Sequence, residues 1–238
     1  YFPMVDPLDT PKFLLFGDSI TEFSYDPELS FSFGSAISND YARKLDVVNR
    51  GFAGYQSRWA LKLLPKILEL EKNVQIATMF FGTNDAVDGG SQLVPIDEYR
   101  ENMTKMVKLF KEKEIKLVLI SPGFHGVEQW TEREGGTVVH GRTTERNKLY
   151  GDVLREIADK EEVGFVDTFA LFERFARGNP ELSVYKELLV DGIHFTGDAY
   201  KLLYNELLNQ IGKHYPEFLP SAIALRLPYW RDVKEDEL

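Results

Sequence analysis

The 238-residue chain contains no cysteine, which excludes disulfides, a thiolate nucleophile and cysteine-based metal sites. That fits a reducing compartment, and a cytoplasmic protein is the expectation. Histidine is scarce, four residues in all, so imidazole chemistry has few places to reside. Positive charge is also in deficit: 28 Lys and Arg against 38 Asp and Glu give a net charge of −10. No basic stripe offsets it, so neither nucleic acid nor an anionic membrane surface is an expected partner. Lys105, Lys108, Lys111 and Lys113 alternate with Glu112 and Glu114, as on a solvated helix face. No apolar run is long enough to cross a bilayer and no signal-peptide pattern stands near the start, so stable membrane insertion is not expected. Also missing are a His-Glu-x-x-His pair, a phosphate loop and a dinucleotide glycine pattern; no metal and no cofactor is expected.

A content of 43% hydrophobic and 13% aromatic residues is enough for one large core. Periodic segments continue to the end, so residues 1–238 read as a single domain, with 216–238 as a C-terminal tail. That tail has little helical pattern but carries Leu225, Leu227, Tyr229 and Trp230. It is expected to dock on its own domain or to reach a second copy in a homodimer. The final Glu235-Asp-Glu-Leu238 approximates an ER-retrieval tetrapeptide, and Asn102-Met-Thr104 is formally a glycosylation sequon; both read as accidental.

Five short apolar runs have the near-continuous character of strands covered on both faces. They fall at about Lys12–Phe16, Asp46–Asn49, Val74–Phe81, Lys116–Ser121 and Val163–Asp167. Between them the apolar period becomes helical: Leu61, Leu64, Ile67 and Leu68; Met103, Met106, Val107 and Phe110; Leu149, Val153, Leu154 and Ile157; Leu203, Leu207, Leu208 and Ile211. Alternating strand and helix predicts an α/β fold with a parallel sheet between helical layers. Residues 122–143 are weakly patterned and read as an insertion over one face. In such sheets, reacting groups collect beyond the carboxyl ends of the strands.

Chemistry-bearing residues stand at those ends. Ser19 follows the first apolar run within Gly17-Asp-Ser-Ile-Thr21, a position suited to a nucleophile on a sharp strand-to-loop turn. A serine hydroxyl needs a base, and of His125, His140, His194 and His214 only His194 has a carboxylate, Asp191, at a spacing that lets both project from one turn. His194 is therefore read as base and then acid, with Asp191 orienting its ring. A tetrahedral oxyanion needs donors fixed in advance. Asn84 offers a side-chain amide, Gly54 a backbone N–H unobstructed by a Cβ, and Ser19 its own N–H. Asp85 reads as a turn or cap group, and Asp18 as a brace for its own turn that stands close to the nucleophile.

Gly17-Asp-Ser-Ile-Thr21, Gly54 within Asn49-Arg-Gly-Phe-Ala-Gly54, Gly82-Thr-Asn84 and Asp191-Gly-Ile-His194 resemble the four blocks of the SGNH (GDSL-type) hydrolases. Ile20 stands where many members have Leu. Gly51 to Ala60, Gly82 to Ala86, Asp191 to Phe195 and Tyr229-Trp-Arg-Asp232 further resemble the isoamyl acetate-hydrolysing esterases of yeasts, a branch of that family. The resemblance implies a flavodoxin-like, three-layer α/β/α fold with five parallel strands. It also implies Ser19, Asp191 and His194 as triad and Ser19, Gly54 and Asn84 as oxyanion hole. The implied reaction is hydrolysis of small esters, especially acetates of short alcohols such as isoamyl acetate, through an acyl-enzyme on Ser19.

Aromatic residues flank these blocks: Phe23, Tyr25, Tyr55, Trp59, Phe124, Trp130 and Phe195. Trp59 and Phe195 read as packing, whereas Tyr25, Phe124 and Trp130, in weakly patterned segments, are the expected walls for an apolar alcohol group. Arg58 could pair internally or face a carboxylate partner. Two rival readings remain at this level: an esterase for acetylated carbohydrate or lysophospholipid, and a non-catalytic binding module on the same sheet.

Overall fold

Phe13, Leu14, Leu15 and Phe16 are fully buried in strand β1 (Lys12–Gly17), and their side chains alternate between two apolar layers. Phe13 and Leu15 join one layer, Leu14 and Phe16 the other, as the two-residue period of a strand dictates. β2 (Asp46–Gly51), β3 (Val74–Phe80), β4 (Lys116–Ile120) and β5 (Gly164–Val166) complete a parallel sheet in the order β2-β1-β3-β4-β5. This is the flavodoxin-like order, whose strand direction of growth reverses beside β1. The computed structural model describes residues 9–136, 141–181 and 183–234. Tyr1–Pro3, His140 and the Glu235–Leu238 tetrapeptide lie outside the described residues.

In chain order the helices are α1 (Ser19–Glu22), α2 (Phe33–Asp40), α3 (Ser57–Leu70), α4 (Ile96–Glu112), α5 (Val127–Arg133), α6 (Thr144–Glu161), α7 (Thr168–Gly178), α8 (Val184–Leu188) and α9 (Gly197–His214). One layer is built by α3, α4 and α6 through Leu64, Ile67, Met103, Met106, Phe110, Leu154 and Ile157. The opposite layer is built by α2, α7 and α9 through Ile37, Phe172, Leu203, Leu207 and Ile211. The expected three-layer α/β/α architecture is the one observed.

Three expectations need correction. β2 is an edge strand and only partly buried, so its run, Asp-Val-Val-Asn, tolerates polar residues that a central strand would not. Leu149 does not belong to the apolar face of α6; it is 54% exposed, and the neighbouring Tyr150 is buried instead. The segment after β4 is not wholly irregular, since α5 forms inside it. Asn102 of the sequon is buried on α4 and donates to Ser57 Oγ at 3.2 Å, so its amide is not available for modification.

The strand ends are what position the site. Gly17 is in register with Gly51 of β2 and Phe80 of β3, and Asp18 N–H donates to Phe80 O. The turns after β1, β2 and β3 therefore lie side by side.

Candidate active site

Asp18 ends β1 as the N-cap of α1: its Oδ1 accepts from Ile20 N–H at 3.0 Å. Ser19 is thus the first residue of a helix, with its hydroxyl beside the strand end. Its own N–H has no acceptor among the described residues, as the first helical donors never have one inside the helix. The loop carrying the histidine is closed by an antiparallel bridge, Leu189 with Phe195, and by Val190 N–H to His194 O at 2.8 Å. Within it Asp191 Oδ1 accepts from Ile193 N–H at 3.1 Å and His194 N–H at 2.9 Å. Gly192 has φ +93°, and a Cβ there would lie 2.2 Å from Gly126 O. Only glycine lets this loop press against the start of α5.

The three groups meet. His194 Nε2 lies 2.8 Å from Ser19 Oγ, and His194 Nδ1 lies 2.7 Å from Asp191 Oδ2. An ionised carboxylate only accepts, so Nδ1 carries the proton, and Nε2 is left to accept from the serine hydroxyl. Burial alone would raise the Asp191 carboxyl. The hydrogen bonds from the His194 ring and from the His194 and Ile193 backbone outweigh it, bringing the group down to about 2. A hydroxyl, an imidazole and a carboxylate in series can move a proton off the oxygen as it attacks a carbonyl. Ser19 Oγ is hydrogen-bonded to His194, whereas His125 is buried and desolvation pushes its ring down to about 4.

Gly54 has φ +77°, and its N–H has no acceptor among the described residues. Asn84, at the end of β3, donates through Nδ2 to Tyr55 O at 2.8 Å, leaving its second amide hydrogen unassigned. Asp85 is fully buried and its Oδ1 accepts from Ser57 N–H at 2.9 Å. It therefore caps the start of α3 from the next strand end, as a cap group should. Asp18 is also fully buried, and its Oδ2 has no partner among the described residues. Burial pushes both carboxyls up to about 7; for Asp18 the Ile20 N–H opposes this, while the Asp85 charge adds to it. Among the described residues no three His, Asp or Glu side chains gather as a metal site requires.

The GDSL-like lipase/acylhydrolase family model matches residues 15–202. An isoamyl acetate-hydrolyzing esterase of Saccharomyces cerevisiae is 41% identical over 237 residues, covering 96% of this chain and 98% of the relative. The chain belongs to the GDSL-like lipase/acylhydrolase family. A human protein named isoamyl acetate-hydrolyzing esterase 1 homolog is 32% identical, covering 94% of this chain and 89% of its own length. Among solved structures, a lipase/acylhydrolase from Enterococcus faecalis superposes with a TM-score of 0.67 at 23% identity, covering 92% of this chain and 100% of that one. An acetylxylan esterase mutant from Geobacillus stearothermophilus gives 0.66 at 20%, covering 85% and 94%. These two likenesses concern the fold. The present acylhydrolase is an ester hydrolase.

Of the three aromatic walls expected from sequence, Trp130 is linked to Asp191: Arg133 stacks on its ring at 4.9 Å, and the same Arg133 is ion-paired with Asp191. Tyr25 is engaged elsewhere, its ring against Gly34 and its hydroxyl bonded to Ser38 Oγ at 2.7 Å. Phe124 packs in an aromatic group with Phe169, Phe172 and Tyr185. The ring that does touch His194 is Phe23, edge-on at 5.2 Å and 40% exposed. Its place four residues after Ser19, one turn of helix on, was the available signal. Arg58 is paired internally, with Glu98 through two bonds of 2.5 and 2.8 Å.

Proposed function

We propose that Ser19, His194 and Asp191 are the catalytic triad of this ester hydrolase, and that the Ser19 N–H, the Gly54 N–H and the Asn84 amide form its oxyanion hole. The observation that carries the reading is the unbroken series Ser19 Oγ–His194 Nε2 and His194 Nδ1–Asp191 Oδ2, at 2.8 and 2.7 Å. Ser19 Oγ attacks the ester carbonyl carbon while its proton passes to His194 Nε2. The carbonyl oxygen takes the negative charge against the three donors. Collapse of the tetrahedral intermediate expels the alcohol oxygen, which takes the proton from His194 and leaves an acyl group on Ser19. Water, deprotonated by the same ring, then attacks that acyl carbon and releases the acid.

The substrates we infer are small esters, acetates of short alcohols such as isoamyl acetate among them. The support is the 41% identity to the isoamyl acetate-hydrolyzing esterase of Saccharomyces cerevisiae over nearly both chains, together with the apolar ring of Phe23 against His194 and Trp130 under the Arg133 that pairs with Asp191. Ser19→Ala should lower hydrolysis of a chromogenic acetate by several orders of magnitude and abolish labelling by a fluorophosphonate. A purified Ser19→Ala protein retaining parental turnover would sink the assignment. A panel of esters varied in acyl and alcohol parts then separates short acetates from acetylated sugars and lysophospholipids.

We further propose a single domain and a homodimer, in a cytoplasmic setting consistent with a chain free of cysteine. Through residue 228 the tail is fastened to its own chain: Arg43 donates to Leu227 O and Pro228 O at 3.0 Å, and Lys44 to Pro220 O at 2.8 Å. Beyond it, Tyr229 and Trp230 are exposed, the latter by 67%, which suits a neighbour's surface. No described helix is long and apolar enough to cross a membrane.

A further inference from the structure

The oxyanion assignment asks one thing of Asn84 that a lone asparagine cannot guarantee. Its amide must present N–H, not C=O, to the developing negative charge, although the planar group rotates readily about its last bond. Two residues outside every recognisable sequence block act on that choice. Gln92, between β3 and α4, donates from Nε2 to Gly54 O at 2.8 Å and to Asn84 Oδ1 at 3.3 Å. Arg142, just before α6, donates from Nη2 to Asn84 Oδ1 at 3.2 Å and to Gln92 Oε1 at 3.0 Å, and from Nη1 to Thr83 O at 2.7 Å.

We propose that Gln92 and Arg142 are positioning residues of the oxyanion hole, holding the Asn84 amide in its donating orientation and tying it to Gly54. This rests on the oxyanion role proposed above. An arginine has no acceptor, and a carbonyl oxygen no donor. A flipped Asn84 would set its NH2 against the donors of Arg142 and Gln92 and its oxygen against Tyr55 O, so the flip loses three hydrogen bonds. Donation onto Oδ1 also draws charge through the amide and strengthens the N–H as a donor. Gln92 grips Gly54 by its carbonyl, so two of the three donors are held by one side chain. Arg142 is itself held: its guanidinium lies 5.6 Å over the Trp130 ring, and Asp88 fixes the preceding residue through Gly141 N–H at 2.6 Å. Burial lowers the Arg142 guanidinium to about 10, which keeps it cationic at neutral pH. Donors fixed before the reaction cost no reorganisation when charge develops.

The alternative is that both residues merely fasten surface loops, and kinetics separates the two. With a chromogenic acetate, Arg142→Met should lower kcat about 10–100-fold with KM within about 3-fold, the signature of an interaction realised in the transition state. Arg142→Lys should recover only part of this, because an ammonium cannot serve three oxygens in one plane. In an Asn84→Ala background, Arg142→Met should cost less than about 3-fold, since residues acting through one another are not additive. Equal losses in both backgrounds, or a change confined to KM, would overturn the proposal. If Arg142→Met does not fold, as judged by circular dichroism and melting, the same cycle with Gln92→Leu decides, with about 3–10-fold expected in the parent. Asn84→Ala alone tests the underlying reading: parental kcat there removes the oxyanion role itself, whereas an impaired Asn84→Ala with additive Arg142 removes only the positioning role.

Discussion

At the scale of single residues, the site combines groups with opposite electrostatic surroundings. Asp191 is held down to about 2 by hydrogen bonds that outweigh its burial, which keeps it ionised at neutral pH. Asp18, adjacent to Ser19, is instead pushed up to about 7 by burial. In the unfolded chain an aspartate titrates near 4, so between roughly pH 4 and 7 the native state holds a proton that the unfolded state has released. Asp18 therefore costs stability increasingly as pH rises through that window, and by a constant amount above it. Asp18→Asn keeps the oxygen that caps α1 and removes the charge. Its melting temperature relative to the parent should rise between pH 4.5 and pH 8, read by thermal denaturation; a flat difference would contradict the buried-charge account. Removing a proposed oxyanion donor acts on rate: Asn84→Ala should cost about 10²–10³ in kcat.

At the scale of elements, the four blocks were legible because each is a strand end or a tight loop with strict local chemistry. Gly192 illustrates why: at φ +93°, against Gly126 O, no other residue fits. Gly192→Ala should therefore both lower melting and reduce turnover, by driving the base loop off α5; an alanine variant with parental kcat would show the loop to be adaptable. Thr196 is another such position, capping α9 through Ala199 N–H and donating to Glu187 O at 2.6 Å. Thr196→Ala should cost about 1 kcal/mol of stability in urea unfolding. What was not legible depends on contacts between distant segments. α2 is short and its apolar residues few, so periodicity did not announce it, whereas α7 carries Phe169, Leu171, Phe172 and Phe175 and was missed despite them. Arg133, Arg142 and Gln92 lie in segments without period, and only folding brings them onto Asp191 and Asn84. Phe124 stood beside a strand end as a pocket wall would, yet α7 and α8 supply aromatic partners that absorb it.

At the scale of the whole molecule, a chain lacking the residues from Tyr229 onward should fold normally, since the fastening by Arg43 and Lys44 ends at Pro228. On the dimer proposed above, its mass by light scattering should fall from dimer to monomer; a monomeric parent or an unchanged mass would remove the proposed role of the tail. Limited proteolysis should likewise leave one resistant core spanning the sheet, cut only near exposed loops such as residues 134–136. The closing of the site has a bearing on synthesis. Its hydroxyl and imidazole stand 175 positions apart, one at the start of α1 and the other shortly before α9. A growing polypeptide thus carries Ser19 without its proposed base until His194 has been made. A product released before that point would hold the hydroxyl with no imidazole to take its proton.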